Sequence, residues 1–271
     1  MEEKIILVTG STDGIGFQTA LDLTEMGYAV VIHGRTEEKC EAAANKIKKQ
    51  TGGRSVDFIF GDYTSFAQVK SMADNFSATY QHLDVLINNA GIFAKEKELT
   101  IDGYETTFQI NHLSHFLLTT LLLPRLTKYN RGRVVNVSSI AHRNAVFDIE
   151  NLNGEKSFTG YAAYSLSKLC NIYYSLTLAD QFGDSGVTSN ALHPGVINTK
   201  LLNTGFGIHG ASLKKGSEGT VFLAVSDEVR DINGGYFVAN KLTEPSIDAL
   251  DEFNRKELYD YSFEAIKEFL M

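Results

Sequence analysis

The sequence predicts an α/β domain built on a doubly wound parallel sheet of about seven strands, with helices on both faces. Two observations lead to this prediction. Short apolar, β-branched runs alternate with longer stretches of helical periodicity along the 271 residues. The first run, at residues 5–8, is apolar throughout, which is typical of a parallel strand covered on both faces. Strands and helices in this order imply right-handed crossovers within one sheet.

Seven strands are predicted, each from a short run rich in apolar residues. They lie at residues 5–8, 29–32, 56–60, 83–87, 133–137, 187–192 and 235–238. Apolar residues at helical spacing predict the helices between them, and an amphipathic tail closes the chain. These helices cover residues 15–26, 36–50, 105–128, 161–182 and about 246–270. No linker-like stretch divides the chain, so residues 1–271 are interpreted as one domain.

Composition and charge favour a protein that binds a small molecule. The net charge of −8, without a basic stripe, argues against binding to nucleic acid or to an anionic membrane surface. The residues from Met1 to the first strand lack a leader pattern, and no later stretch approaches about 18 uninterrupted apolar residues. We therefore expect no signal peptide and no membrane anchor. Cys40 and Cys170 are expected to be free thiols in a reducing cytoplasm.

A glycine-rich turn joins the first strand to the first helix. Gly10 can form the tight turn, Gly14 lets the backbone approach a pyrophosphate, and Gly16 lets helix and strand pack closely. The free amides at the helix N-terminus would then face the phosphates. The spacing differs from G-x-G-x-x-G, and a purely structural turn is the alternative. The position of the turn favours a dinucleotide site in a Rossmann-like sheet.

The end of the second strand indicates which dinucleotide binds. Sheets that bind NAD usually offer an acidic residue here to the ribose 2′-hydroxyl, and residues 31–36 contain none. Arg35 is placed instead to bind a 2′-phosphate, which predicts NADP(H) rather than NAD; a solvated surface arginine is the alternative. Asp62 could accept a hydrogen bond from adenine. The small residues at 89–91 let the backbone pass close to the cofactor.

A tyrosine and a lysine form the candidate catalytic pair. Tyr164 and Lys168 are four residues apart in a predicted helix, so both project from one face. A nearby ammonium favours the phenolate, which makes tyrosine usable as an acid or base near neutral pH. Ser139, at the end of the fifth strand, could hold a substrate oxygen, and Asn111 could anchor a water chain to Lys168. An ordinary pair on the helix surface is the alternative.

Taken together, these motifs resemble the short-chain dehydrogenase/reductase family from Thr9 to about residue 240. The motif set is Thr9-Gly10-xxx-Gly14-x-Gly16, Asp62, Asn88-Asn89-Ala90-Gly91, Asn111, Ser139, Tyr164-xxx-Lys168 and Pro194-Gly195. Ser139 and Tyr164 are 25 residues apart, farther than in the commonest pattern of the family. The residues between them, at 141–143 and 147–153, resemble the retinol dehydrogenase-like branch.

The resemblance implies NADP(H)-dependent interconversion of a carbonyl and an alcohol by hydride transfer. It implies a catalytic tetrad of Asn111, Ser139, Tyr164 and Lys168, in which Tyr164 exchanges a proton with the substrate oxygen. It also implies a set of cofactor contacts from the glycine turn to the nicotinamide pocket. This set is Gly10, Ser11, Thr12, Asp13, Gly14, Ile15, Gly16, Arg35, Asp62, Tyr63, Asn89, Ala90, Gly91, Tyr164, Lys168, Pro194, Gly195 and Thr199. A homodimer or homotetramer is the default expectation for the family.

Two other functions stay open on the sequence alone. The first is a catalytically silent NADP(H)-binding sensor or scaffold; such relatives typically lose the tyrosine or the lysine, whereas this chain has Tyr164 and Lys168. The second is different chemistry on the same fold, such as reduction of a ring double bond or epimerisation. The sequence does not identify the substrate.

The remaining candidates have a structural interpretation and a functional one. His112 and His115 lack an acidic or cysteine partner, so a structural role is favoured over metal ligation and no metal site is predicted. His142 and His193 could contact substrate or serve packing and turns. Residues 200–216 carry apolar side chains between glycines, which suits a mobile lid or an ordered loop without a gating role.

Overall fold

The computed structural model describes residues 4–54 and 56–270 and contains one continuous sheet. Its strands are β1 (Ile5–Val8), β2 (Ala29–Gly34), β3 (Asp57–Phe60), β4 (Val85–Asn88), β5 (Arg133–Val137), β6 (Thr188–His193), β7 (Tyr236–Val238) and β8 (Lys241–Leu242). They lie in the order β3-β2-β1-β4-β5-β6-β7-β8. Strands β1 to β7 pair in parallel, and β8 is antiparallel to β7. The predicted doubly wound fold is confirmed, with eight strands instead of about seven.

The extra strand, β8, follows a tight hairpin turn. Ala239 and Asn240 both adopt positive φ, at 48° and 62°. Two consecutive residues of this kind reverse the chain with the twist that paired strands need. Alanine is uncommon in this conformation, so the sequence contains no turn motif that would predict the hairpin.

The helices lie on both faces of the sheet. They are α1 (Gly14–Glu25), α2 (Glu37–Gln50), α3 (Phe66–Thr79), α4 (Thr106–Phe108), α5 (Ser114–Leu126), α6 (Gly160–Phe182), α7 (Lys200–Phe206), α8 (Leu213–Val225) and α9 (Glu252–Ile266). Helices α3 and α8 were not predicted, although the side chains of Ser65 and Ser212 cap their first turns. Gly216 and Gly219 lower the helix propensity of α8, which obscured it in the sequence.

The helix predicted over residues 105–128 is interrupted by a π-helical turn. Between α4 and α5 the chain forms this turn at Gln109–Leu113, and the amide of Ser114 donates to the carbonyl of Gln109, five residues earlier. One extra residue is thereby inserted into the helical path. Asn111 lies within the turn, and such turns occur frequently at functional sites.

The C-terminal segment packs against the middle of the molecule. The helix expected over about 246–270 is shorter, because α9 is flanked by 3₁₀ turns at Ile247–Leu250 and Lys267–Phe269. Helix α9 packs on α6, and Ser262 of α9 lies 2.8 Å from Nε2 of His112. His112 therefore joins the tail to the π turn.

Two apolar layers enclose the sheet. Leu7 belongs to the layer formed with α3, α5 and α6, while Ile6 and Val8 belong to the layer formed with α1, α2 and α8. Each of these fully buried side chains contributes about 1.5–3 kcal/mol by leaving water. A strand that faces an apolar layer on both sides must be apolar at every position, which explains the uniform run at residues 5–8.

Other general expectations can be compared with the described residues. Both cysteines are free and buried. In the part of the chain that the structure describes, no helix is long and apolar enough to cross a bilayer. The expectation about a signal peptide concerns residues 1–3 in part, and these lie outside the described residues.

Candidate active site

One large cavity lies at the carboxyl edge of the sheet. It has a volume of about 1150 Å³ and receives the ends of β1, β2, β4, β5 and β6. The strand order reverses at this edge, because the chain leaves β1 for β2 on one side and returns with β4 on the other. Open α/β sheets bind ligands at such a switch point. The predicted site residues converge there: all of them line the cavity except Ser11 and Asn111.

The glycine turn is closely packed against its neighbours. Gly10 and Gly14 both have φ of +60°, a conformation that favours glycine. A Cβ atom on Gly16 would lie 2.4 Å from the carbonyl oxygen of Gly10 and from Nδ2 of Asn89. The side chain of Asp13 accepts from the amide of Gly14 at 2.8 Å and caps α1. The turn thus presents backbone to the cavity, with the N-terminus of α1 directed at it.

Ser11 lies behind the turn rather than against the cavity. Its hydroxyl donates to the carbonyl of Val8 at 2.6 Å and accepts from the amide of His33 at 2.8 Å. The side chain is fully buried between β1 and β2. The structure therefore does not place Ser11 in the cavity lining, and its assignment to the cofactor contacts stays a prediction. Spacing alone does not reveal which way a turn residue faces.

A group of cations surrounds the end of β2. Arg35 lines the cavity, as predicted from its position, and Lys39 and Lys46 of α2 line it as well. A Cβ on Gly34 would lie 2.4 Å from Cγ2 of Thr12, so the glycine turn and this loop are in contact. Sequence reasoning missed the two lysines. The signal for them was available, because Lys39 follows Arg35 by four residues and Lys46 follows Lys39 by seven. The second spacing places the two lysines on one face of α2.

Asp62 and Tyr63 line the same side of the cavity. Oδ1 of Asp62 accepts from the amide of Thr64 at 3.0 Å and from its hydroxyl at 2.9 Å. This leaves Oδ2 available to a ligand. The backbone carbonyl of Tyr63 accepts from Gln109 and Ser114, which ties this loop to the π turn.

Tyr164 and Lys168 lie together at the inner wall. Both are buried, and the ammonium of Lys168 is 5.6 Å from the centre of the Tyr164 ring. Lys168 donates to the carbonyl of Val137 at 3.1 Å. Burial raises the pKa of Tyr164 to about 12, and a hydrogen bond with the Ser139 side chain acts in the opposite direction. Burial lowers the pKa of Lys168 to about 8, so the amine is still mainly charged at neutral pH.

Asn111 lies beneath the wall of the cavity. Its Oδ1 accepts from the amide of Ile92 at 2.8 Å, while its Nδ2 donates to the carbonyl of Ile92 at 3.0 Å and to Ser167 at 2.9 Å. A Cβ on Gly91 would lie 3.3 Å from Asn111 Oδ1 and 3.4 Å from Lys168 Nζ. Asn111 thus braces the loop at Ile92, and the missing side chain of Gly91 leaves open the space beside Asn111 and Lys168. The water chain between them stays a prediction.

An aromatic cluster covers Tyr164. Its ring centre is 5.6 Å from that of Phe93 and 6.0 Å from that of Phe206, which are themselves 5.3 Å apart. Sequence reasoning did not find Phe93, and it named Phe206 only as part of the 200–216 segment. That segment contains α7, a short loop and the start of α8.

Residues after β6 form the opposite wall. Pro194, Gly195 and Thr199 line the cavity, and Gly195 has φ of +98°. The Thr199 hydroxyl accepts from the amide of Leu202 at 3.1 Å, which caps α7 and leaves its own hydrogen free to donate. Lys200 forms an ion pair with Asp13 of the glycine turn at 2.5 Å. The ion pair joins the two walls across the cavity mouth.

The four histidines named from the sequence occupy different positions. His142 bonds the carbonyl of Ser139 at 2.7 Å and the amide of Ser246 at 3.0 Å, so it joins the end of β5 to the C-terminal segment. His193 lines the cavity. His112 and His115 are buried, and His115 lies between Thr9 and the carbonyl of Asn111.

Comparison with known proteins identifies the class. The family model for short chain dehydrogenases matches residues 4–206, and the chain belongs to this family. Within it the chain falls in the retinol dehydrogenase-like branch. Human retinol dehydrogenase 13 is 37% identical over 94% of this chain and 82% of its own length. Mouse retinol dehydrogenase 11 is 33% identical over 96% of this chain and 85% of its own length. The predicted resemblance is thereby confirmed.

Solved structures agree with this assignment. An uncharacterised protein from Mycobacterium paratuberculosis is 30% identical, with a TM-score of 0.82 over 97% of this chain and 93% of its own. A short chain dehydrogenase from Escherichia coli complexed with NADPH is 26% identical, with a TM-score of 0.74 over 89% of this chain and 98% of its own. The protein is thus an oxidoreductase of the short-chain dehydrogenase family.

Proposed function

We propose that the protein uses NADP(H) to interconvert a carbonyl and an alcohol, with Tyr164 as the acid/base. The observation that carries this proposal is the placement of Tyr164 and Lys168 side by side at the carboxyl edge of the sheet, 5.6 Å from amine to ring centre. A phenol and a cation at a dinucleotide-sized cavity can exchange a proton with a substrate oxygen and stabilise the resulting charge.

The cavity suits a nicotinamide dinucleotide. Its volume of about 1150 Å³ exceeds that of ordinary small-molecule pockets, roughly 300–1,000 Å³. The glycine turn leaves backbone where Cβ atoms would obstruct it, and the N-terminus of α1 offers amides to phosphates. Pro194 and Thr199 would border the nicotinamide, with the free hydroxyl hydrogen of Thr199 available to its carboxamide.

Preference for NADP(H) over NAD follows from the charges around β2. Arg35, Lys39 and Lys46 line the cavity, and residues 31–36 contain no carboxylate that would repel a 2′-phosphate. Arginine can bind phosphate through two parallel hydrogen bonds. Similar solved structures that contain NADP or NADPH support this choice. Replacement of Arg35 by Ala should weaken NADPH binding by about 10- to 100-fold and NADH binding little, since a charge-assisted hydrogen bond contributes about 1.5–3 kcal/mol.

The chemistry assigned to the chain is proton transfer at one oxygen atom. Bound NADPH supplies the hydride. Tyr164 holds its proton near neutral pH, because burial raises its pKa to about 12, and it donates this proton to the substrate oxygen during reduction. The ammonium of Lys168 stabilises the phenolate that forms, and Ser139 holds the same substrate oxygen. For alcohol oxidation the same residues act in the reverse order.

A screen of NADPH oxidation tests this function. The panel contains aldehydes, ketones, quinones and retinal, the last because the similar curated proteins are named retinol dehydrogenases. Turnover of at least one carbonyl, faster with NADPH than with NADH, is the expected result. Tight NADPH binding without turnover of any member would instead support the sensor or scaffold alternative.

The sequence also leads to proposals about organisation. We propose one domain over residues 1–271, a cytoplasmic location and a homodimer or homotetramer. All eight strands in one sheet support the first proposal. Light scattering on the purified chain gives the oligomeric state directly, and fractionation of cells that express the full-length protein tests the location.

A further inference from the structure

We propose that His33 is a positioning residue that holds the nucleotide-binding loops in their binding conformation. The proposal rests on the proposed NADP(H) function and assigns a role to a side chain that the cofactor contacts predicted from the sequence did not include. His33 is in β2, is 2% exposed and has part of its surface at the cavity.

The imidazole joins two loops at the carboxyl edge of the sheet. Nδ1 accepts from the amide of Gly10 at 3.1 Å, and Nε2 lies 3.0 Å from the carbonyl oxygen of Gly61. Gly10 begins the glycine turn after β1, and Gly61 begins the loop after β3. One side chain in the strand between them therefore connects both loops.

The partners determine the protonation of the ring. The amide of Gly10 can only donate, so Nδ1 carries no proton, and the carbonyl of Gly61 can only accept, so Nε2 carries one. This is the neutral tautomer, and burial favours it by lowering the pKa of His33 to about 4. A charged imidazole would have a proton on each nitrogen and could not accept from Gly10.

Two further contacts fix the ring and its backbone. Tyr63 stacks on the imidazole with ring centres 4.8 Å apart and planes 25° apart. The backbone amide of His33 donates to the Ser11 hydroxyl, and its carbonyl accepts from the Ser11 amide, both at 2.8 Å. Ser11, the turn residue that faces away from the cavity, thereby holds the backbone from which the imidazole projects.

These contacts have a consequence for the glycine turn. The amide of Gly10 is committed to His33, so Gly10 contributes the shape of the turn and not a hydrogen bond to phosphate. Without the imidazole, the partly buried amide of Gly10 loses its acceptor and the turn is no longer held open. The cofactor must then order the turn as it binds, which costs affinity.

The test measures nucleotide binding by the full-length chain with two ligands. NADPH probes the whole site, and adenosine 2′,5′-bisphosphate probes the adenosine half alone. His33→Leu removes both ring hydrogen bonds, whereas His33→Asn keeps an acceptor at the position of Nδ1. The matched control is His82→Leu, because His82 is also a buried histidine but lies next to Asp84 and away from the cavity.

We expect His33→Leu to raise the Kd of both ligands about tenfold and His33→Asn to raise it about threefold at most. His82→Leu should lower the melting temperature and leave both Kd values within twofold. Should His33→Leu fail to fold, His33→Met replaces it with the same expectation, since methionine adapts to irregular spaces.

Two results overturn the inference. The first is unchanged affinity in His33→Leu or His33→Met while the wild-type chain binds both ligands. The second is an equal loss of affinity in His33→Leu, His33→Asn and His82→Leu, because that result marks a general loss of stability. If the wild-type chain binds neither ligand, the proposed function falls together with the inference.

Discussion

The two halves of the cavity are built in different ways. The phosphate-binding part of the nucleotide half is formed by backbone, because Gly10 and Gly16 leave no room for a Cβ atom. The substrate half is formed by side chains from separate segments, with Phe93 and Phe206 covering Tyr164. A half made of backbone accepts little variation, whereas a half made of side chains can change its substrate without changing the fold.

The largest expected effect comes from adding one carbon atom to the nucleotide half. Gly16→Ala places a Cβ 2.4 Å from the carbonyl oxygen of Gly10 and from Nδ2 of Asn89. Relaxation is difficult, because the first neighbour is backbone and the second is held by hydrogen bonds to the carbonyls of Thr9 and Gly10. We expect about 1–3 kcal/mol of destabilisation and the loss of measurable NADPH binding. Calorimetric titration and urea unfolding measure the two effects.

Gly219→Ala is the control for this prediction. Its Cβ would meet a methyl group of Leu192 at 3.0 Å instead of backbone, and α8 gains a better helix former. Equal loss of binding in both variants would show that the glycine turn has no special role.

Two histidines that line the cavity are favoured in the neutral form by burial, so the stability of the protein should decrease in acid. The pKa of His33 and that of His193 are each lowered from 6.5 to about 4, mainly by burial. The unfolded chain therefore binds these protons first as the pH falls from 6.5 towards 4. The free energy of unfolding should decrease by about 1.4 kcal/mol per pH unit for each histidine in this window.

Urea unfolding at pH 7, 6 and 5 measures this decrease. Well above pH 6.5 the two groups contribute almost no slope, because they are then neutral in both the folded and the unfolded state. Replacement of His193 by Asn should make the decrease in the free energy of unfolding between pH 6 and pH 5 smaller by the contribution of one histidine. Equal stability at pH 6.5 and pH 5 would contradict the assignment of neutral histidines to the cavity lining.

A smaller effect is expected from the substrate half. Phe206→Ala removes ring contacts to Phe93 and Tyr164, each pair of this kind contributing about 0.5–1.5 kcal/mol. We expect KM for the carbonyl to rise about tenfold while the KM for NADPH stays within twofold. Steady-state kinetics against Phe263→Ala, a half-exposed phenylalanine of α9, measures the difference. A parallel rise in the KM for NADPH would show that the two halves are not separable.

The smallest effect is expected where the halves meet at the surface. The ion pair between Lys200 and Asp13 is largely exposed, with 88% of the lysine side chain accessible. Exposed pairs contribute about 0–1 kcal/mol and are screened by salt. Lys200→Gln should therefore change the Kd for NADPH less than about fivefold at low salt and not at all at 0.5 M salt. A loss that persists at high salt would mean that Lys200 contacts the cofactor itself.

The contrast between the halves also explains what the sequence could predict. Strand runs, the glycine turn, Arg35 and the pair Tyr164–Lys168 are recognisable because each depends on neighbours a few residues away. The direction of Ser11 and the role of His33 depend on contacts between β1, β2 and the loop after β3, which spacing does not encode. The cluster around Phe206 unites residues more than 100 positions apart, so only tertiary packing reveals it.

The secondary-structure predictions likewise fail where tertiary packing, and not the local sequence, determines the structure. Helix α8 was missed because Gly216 contradicts its helical pattern, yet that glycine is needed where a Cβ would lie 2.9 Å from Ile197. The π turn around Asn111 was missed because one inserted residue does not alter the apolar pattern of a long helix. In both cases packing requirements outweigh local propensity.

The central claim is that the phenol of Tyr164 transfers the proton, and one pair of variants tests it most directly. Tyr164→Phe removes that hydroxyl, and Tyr173→Phe removes another from the same helix, one that bonds the carbonyl of Asp248 outside the cavity. Single-turnover oxidation of bound NADPH by a carbonyl from the screen should slow by about 10²–10⁴-fold in Tyr164→Phe, with the Kd for NADPH unchanged. Tyr173→Phe should react at the wild-type rate. Wild-type turnover in Tyr164→Phe would contradict the account.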